Sequence, residues 1–152
     1  MAMAAEVRVF LDTSVLFAAV LSETGGARLV LKLGEAGAVR LWVGPQVLRE
    51  ADGVLSRQAP DSKALFALLL DRARVALGPP SDEATLARAR TVVDYLPDAH
   101  VVAEALAAHA DYLVSLDRAH LVGNPHGTEL PFTIGTPGDF LTWFRERWSR
   151  DA

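Results

Sequence analysis

Short apolar runs alternate along the chain with longer stretches in which apolar positions recur every three to four residues, the order that strands and amphipathic helices leave in a sequence. Residues 7–11 (Val-Arg-Val-Phe-Leu) read as a buried strand, and Asp12, Thr13 and Ser14 then supply helix-start chemistry for a short apolar helix to about residue 21. Gly25-Gly26 restarts the chain. A helix is predicted over about 27–35, ended at Gly37, and residues 39–43 (Val-Arg-Leu-Trp-Val) form a second strand closed by Gly44-Pro45. There follow a helix over about 45–56, another opened by Pro60-Asp61-Ser62 and running to about 71, and a third strand over 73–77 stopped by Gly78-Pro79-Pro80. Helices over about 82–92 and 98–109 lead into residues 112–116 (Tyr-Leu-Val-Ser-Leu), a fourth strand ending at Asp117. Residues 132–134 form a short last strand, and Thr136-Pro137-Gly138-Asp139 caps a helix carrying Phe140, Leu141, Phe144 and Trp148.

Strands apolar on both faces, alternating with helices, imply a three-layer α/β fold: a central parallel sheet of four to five strands with helices on both sides. No repeat, low-complexity tract or linker interrupts the pattern, so a single domain over residues 1–152 is expected. In such open sheets ligands bind beyond the carboxyl ends of the strands. The polar residues delivered to that edge are therefore the candidates for chemistry.

Asp12 ends the first strand and Asp117 the fourth, which places both at the carboxyl edge. For Asp98 the reasoning runs through lengths. About 12 helical residues and about 5 strand residues each span roughly 17 Å, so helix and strand run antiparallel end to end and Asp98 lands beside Asp117. The stripe of Val101, Val102, Ala105, Leu106 and His109 is centred near the azimuth of Asp98, which turns that side chain inward. Glu50 lies in the second turn of the helix after the second strand and flanks its apolar stripe; Asp52 flanks the other side, and periodicity does not rank the two. Other acids serve as comparisons. Asp111 precedes its strand and falls at the opposite edge, Asp139 occupies a capping position, and Asp94 reads as a loop residue.

Taken singly, Asp12 and Asp98 read more readily as helix caps, Glu50 as a solvated flank and Asp117 as the start of a turn. Together they are four like charges converging on one edge, where mutual repulsion raises their pKa values unless a cation neutralises them. An all-oxygen site suits hard Mg²⁺ or Mn²⁺, which orients and deprotonates a water for in-line attack on a phosphodiester and stabilises the developing charge.

Composition adjusts this picture. A net charge of −4 and a pI near 5.5 exclude a protein that holds nucleic acid by a global positive field, although acids at a cation site count as negative only until the cation binds. The absence of cysteine excludes disulfides, zinc–thiolate sites and cysteine nucleophiles and fits the cytoplasm. No apolar run is long enough for a membrane span, and the first residues carry no basic start or long apolar core, so neither membrane insertion nor export is expected. His100, His109, His120 and His126 show no paired ligand spacing and read as surface or core residues. His120, three residues after Asp117, is the exception worth testing. Trp143 and Trp148 fall on the last amphipathic helix, as packing or dimer contacts. Arg118, directly after Asp117, reads as a phosphate contact or a solvated loop residue.

Four segments carry a family resemblance: Val9-Phe10-Leu11-Asp12-Thr13-Ser14-Val15-Leu16, Val47-Leu48-Arg49-Glu50, Pro97-Asp98-Ala99-His100-Val101-Val102-Ala103-Glu104-Ala105-Leu106, and Ala110-Asp111-Tyr112-Leu113-Val114-Ser115-Leu116-Asp117. In order and spacing they resemble the PIN-domain family, which includes the VapC-like toxin ribonucleases. The likeness spans nearly the whole chain. It implies a Rossmann-like PIN fold, a Mg²⁺- or Mn²⁺-dependent endoribonuclease acting on RNA and, in many small bacterial members, a toxin with a partner antitoxin, often as a homodimer. It selects Glu50 over Asp52. The resemblance makes Asp12, Glu50, Asp98 and Asp117 the catalytic metal ligands and Thr13, Ser14 and Ser115 hydroxyls that orient ligands or bind phosphate. Two departures stand out: Ser115 where many relatives have Thr, and a long irregular stretch over residues 118–133 on the substrate side. The rival readings are a catalytically silent PIN-like module that binds RNA or protein, and a haloacid-dehalogenase-type phosphohydrolase. The second is disfavoured because Ser14 stands at its second acidic position.

Overall fold

The computed structural model describes residues 6–151. Residues 1–5, on which the expectation of no export signal partly rests, and residue 152 of the expected domain lie outside the described residues.

Five strands form one sheet: β1 (Arg8–Leu11), β2 (Arg40–Val43), β3 (Ala76–Leu77), β4 (Tyr112–Val114) and β5 (Thr133–Gly135). Every pairing is parallel and the order is β3-β2-β1-β4-β5. Seven α-helices connect and cover it: α1 (Thr13–Leu21), α2 (Gly26–Glu35), α3 (Pro45–Gln58), α4 (Lys63–Arg72), α5 (Glu83–Arg90), α6 (Leu96–Ala107) and α7 (Pro137–Asp151). The expected α/β architecture with a central parallel sheet is thus present. Burial on both faces explains why the strand sequences lack alternation: Val9, Phe10 and Leu11 of β1 and Leu113 and Val114 of β4 are all completely buried. Among the described residues, no single helix is long and apolar enough to cross a membrane.

The order places the functional edge. From β1 the chain moves towards β2, whereas from β4 it moves towards β5, so the segments leaving these two neighbouring strands part company. That divergence opens a crevice at the switch point of the sheet. Register sets what lines it: Leu11 pairs with Val114, which brings Asp12 alongside Ser115, and the Asp12 amide donates to the Val114 carbonyl at 3.0 Å.

Several boundaries differ from expectation. The third strand shrinks to two residues because Ala73 is the C-cap of α4 and Arg74 follows it in the left-handed region (φ 52°). The fourth strand ends at Val114 rather than residue 116, although the Ser115 amide still donates to the Gly135 carbonyl at 2.9 Å. The helix before it starts at Leu96, two residues early, with Pro97 in its first turn, where a missing N–H costs nothing. That helix also stops at Ala107, so His109 lies outside it, exposed and left-handed at φ 55°. The irregular stretch before β5 contains a short 3₁₀ turn over Pro125–Glu129.

A non-glycine residue in the left-handed region carries a steric cost of about 1–2 kcal/mol. His109→Gly is therefore expected to stabilise the protein by about 1 kcal/mol, a rise of roughly 2–4 °C in Tm for a chain of this size. A melting temperature that stays level or falls would show that the histidine side chain contributes more than its backbone costs.

Candidate active site

Asp12 is the most firmly held of the predicted acids. It is 5% exposed and is the N-cap of α1. Its Oδ2 accepts from the Ser115 hydroxyl at 2.7 Å and the Ser14 hydroxyl at 2.9 Å, and its Oδ1 from the Thr13 amide at 2.8 Å. Both hydroxyls are themselves fixed: Ser14 Oγ accepts from the Leu116 amide and Ser115 Oγ from the Asp117 amide, each at 3.0 Å. A relay thus runs from the backbone after β4, through two hydroxyls, to one carboxylate oxygen. A carboxylate offers about four lone-pair directions, so roughly one remains for a further partner. Burial raises the Asp12 pKa, opposed by those hydrogen bonds and reinforced by the charge of Asp117.

Asp98 sits in the first turn of α6 rather than at its cap, a position that Tyr95 occupies without a side-chain hydrogen bond. It faces inward as the azimuth requires and is 8% exposed. Its pKa is pushed up to about 8, by burial first, then by hydrogen bonding to and repulsion from Asp117, then by Asp12 and Glu50. Oδ2 of Asp98 is buried without a hydrogen-bond partner. Asp117 lies three residues beyond the end of β4. Its Oδ1 accepts from the amides of Ala119 at 2.9 Å and His120 at 3.1 Å. Burial works to raise its pKa, but the bonds with Asp98 and these amides outweigh it and the net direction is down. Repulsion and burial thus push Asp98 up while Asp117 is held down.

Glu50 is the exposed member, on α3. Its pKa is raised by partial burial and then by the charge of Asp12, opposed by the Thr13 hydroxyl and Arg57. Asp52 faces elsewhere and pairs with Lys63 at 3.2 Å. Geometry therefore ranks the two acids that periodicity left level. Thr13 is buried, and its hydroxyl reaches the Val47 carbonyl at 3.5 Å, tying α1 to α3. Arg118 is exposed, with no ion pair or side-chain hydrogen bond among the described residues. The comparison acids fall outside the cluster. Asp111 Oδ2 accepts from the Arg8 amide at the opposite edge, and Asp139 forms a reciprocal cap with Thr136.

Asp12, Glu50, Asp98 and Asp117 form one electrostatic cluster: Asp12, Glu50 and Asp98 each feel the charge of at least one other, and Asp117 interacts with Asp98. With one buried carboxylate oxygen unpartnered, the donor set fits a hard divalent cation.

Two further residues join the site, His120, which the sequence marked for testing, and Glu104, which it did not. His120, exposed on the loop after Asp117, brings its Nδ1 to 3.0 Å from Asp98 Oδ2 and 3.4 Å from Asp117 Oδ2. Its distance of three residues from Asp117 was the only signal. Glu104 is 3% exposed in α6, and its carboxylate accepts from the amides of Gln46 at 2.9 Å and Val47 at 3.1 Å. It caps the N-terminus of α3, whose own N-cap, Gly44, has no side chain to do so. A Cβ at Gly44 would overlap that carboxylate. The signal was a lone charge in an otherwise apolar helix turn, which has to find a partner when buried.

The sequence matches the family described as PIN domain over residues 8–119. No curated protein matches the chain in sequence. Solved structures share the fold at low identity. VapBC2 from Rickettsia felis, solved bound to a DNA fragment from its promoter, aligns with a TM-score of 0.66 and 14% identity, covering 86% of this chain and 98% of that one. PAE2754 from Pyrobaculum aerophilum gives 0.57 and 19%, covering 92% and 90%. VapC20 from Mycobacterium tuberculosis, described as a sarcin-ricin loop cleaving toxin, gives 0.51 and 18%, covering 73% and 91%.

Proposed function

Since the chain belongs to the PIN domain family, we propose that it is an endoribonuclease that hydrolyses RNA phosphodiester bonds with Mg²⁺ or Mn²⁺ held by Asp12, Glu50, Asp98 and Asp117. The observation that carries this reading is the unpartnered, buried Oδ2 of Asp98 within a set of mutually repelling carboxylates. Such an arrangement is costly unless a cation completes it.

A bound divalent cation supplies Lewis acidity towards the phosphoryl oxygens and a nucleophile at neutral pH. The protein's own groups prepare the site for it. Ser14 and Ser115 hold the Asp12 carboxylate in one orientation. Arg118 offers an exposed guanidinium to a phosphate. The rim beside it is apolar: Tyr95, Leu96 and Leu116 are exposed next to two of the acids, where unstacked bases can rest. A groove of about 290 Å³ lined by Tyr95, Arg118, His120 and His126 adjoins them. RNA as the substrate and an antitoxin as the partner are supported by the VapC-type neighbours. A single domain over 1–152, a homodimer and a cytoplasmic location belong to the same reading.

The test is incubation of the purified protein with RNA in Mn²⁺ or Mg²⁺ and in chelator. Cleavage with metal that chelation stops is the expected result. A folded protein that leaves RNA intact with every divalent ion offered would instead be a catalytically silent binding module.

A further inference from the structure

We propose that His120 is a metal ligand, so that Asp98, Asp117 and His120 form a mixed oxygen–nitrogen pocket that favours first-row transition ions over Mg²⁺. One ligand atom from each of these residues lies within 4.8 Å of the others. The spacings are those of groups sharing an ion. Two atoms each about 2.1 Å from a metal stand about 3.0 Å apart at a right angle and about 3.4 Å apart at the tetrahedral angle. Nδ1 of His120 is 3.0 Å from Asp98 Oδ2 and 3.4 Å from Asp117 Oδ2.

The contact with Asp98 has hydrogen-bond length without being a hydrogen bond, because Asp98 Oδ2 has no such partner. The imidazole is also held in place from several directions. It stacks on Tyr95 with centroids 4.5 Å apart and planes 17° apart. Its amide donates to Asp117 Oδ1 at 3.1 Å, and its carbonyl accepts from the Asn124 side chain at 2.9 Å. Leu121, completely buried, anchors the same loop. An exposed loop histidine with no task has no need of such support.

Imidazole is a borderline ligand that suits Zn²⁺, Ni²⁺ and Co²⁺ well, tolerates Mn²⁺ and contributes little to Mg²⁺. A nitrogen in the set therefore tilts selectivity along the first-row series. The proposal rests on the nuclease reading only for the presence of a cation.

Direct binding of Co²⁺, Mn²⁺ and Mg²⁺ by calorimetry, with pulsed EPR on the Mn²⁺-loaded full chain, tests it without reading cleavage. His120→Ala is expected to weaken Co²⁺ binding at least about tenfold, Mn²⁺ somewhat less, and Mg²⁺ within about twofold. The wild type shows a ¹⁴N coupling to Mn²⁺ that the variant lacks. His120→Asp, which restores an oxygen, recovers Mg²⁺ binding more than Co²⁺ binding, and thermal melting establishes that both variants fold. Equal or tighter binding of every ion by His120→Ala would overturn the proposal, because the imidazole would then merely be competing with the metal for the two carboxylates. So would Mn²⁺ bound without nitrogen coupling, and in that case RNA cleavage would leave the nuclease reading standing. Nitrogen-coupled Mn²⁺ in a protein that cuts no RNA does the reverse.

Discussion

Asp98→Asn is expected to abolish metal-dependent RNA cleavage and, in the metal-free protein at alkaline pH, to raise the melting temperature. The two effects have one origin. Asp98 is a nearly buried carboxyl whose pKa is pushed up to about 8 by burial, by Asp117, and by the charges of Asp12 and Glu50. Between its ordinary value of 3.8 and about 8 the folded protein holds a proton that the unfolded chain has released, so stability falls as pH rises through that window. The raised values of Asp12 and Glu50 act in the same direction, and only the lowered Asp117 opposes them. Asparagine keeps the shape, carries no charge and can donate its amide to Asp117. Its melting temperature should match wild type at about pH 4 and below, pull ahead as pH rises, and hold its full lead from about pH 8 upward. The cost is a metal ligand, and several kcal/mol of lost charge stabilisation correspond to a drop in rate on the order of a thousandfold. Mn²⁺ added at pH 8 should stabilise the wild type far more than the variant. Undiminished cleavage, with a pH–melting profile that superimposes on wild type, would remove Asp98 from the site.

Glu104→Ala is expected to be the most destabilising single change near the cleft. It strands two backbone amides, those of Gln46 and Val47, at the start of a helix that has no cap of its own. Each unsatisfied buried donor costs about 1–3 kcal/mol, and the vacated volume adds to that. A loss of about 3 kcal/mol or more corresponds to a fall of roughly 6–12 °C in Tm. Gly44→Ala should act in the same direction, since its methyl group would displace the Glu104 carboxylate. Because the helix so loosened carries Glu50, cleavage should fall at temperatures where both variants remain folded. Melting temperatures within about 2 °C of wild type for both variants would show that water replaces the carboxylate without penalty.

The parts of this molecule that were legible in its sequence are those governed by local rules. Apolar runs marked the strands, Asp12 followed from the end of one, and Thr136 with Asp139 announced a reciprocal cap that is present. Asp98 was located correctly but placed on the wrong helical position, because aspartate is a favoured cap and was weighted above Pro97, whose fitness for a first helical turn marks the earlier start. The choice between Glu50 and Asp52 was invisible to periodicity, since it depends on Lys63, which reaches Asp52 from the next helix. Glu104 was unreadable, and His120 was readable only as a near neighbour of Asp117, for a related reason. Their partners lie on other elements, and only packing brings a buried glutamate under a foreign helix end or an imidazole between two aspartates.

The hydroxyl relay has a consequence in time as well as in space. Asp12 takes its hydrogen bond from Ser115 across 103 positions of sequence, and that bond depends on β4 having paired with β1. At translation rates of about 5–20 residues per second, a nascent chain spends roughly 5–20 s with its first acid made and its partners not yet synthesised. Throughout that interval it has no cleft. Assembled in this way, the carboxylate cluster comes into being only once nearly four-fifths of the chain has been made.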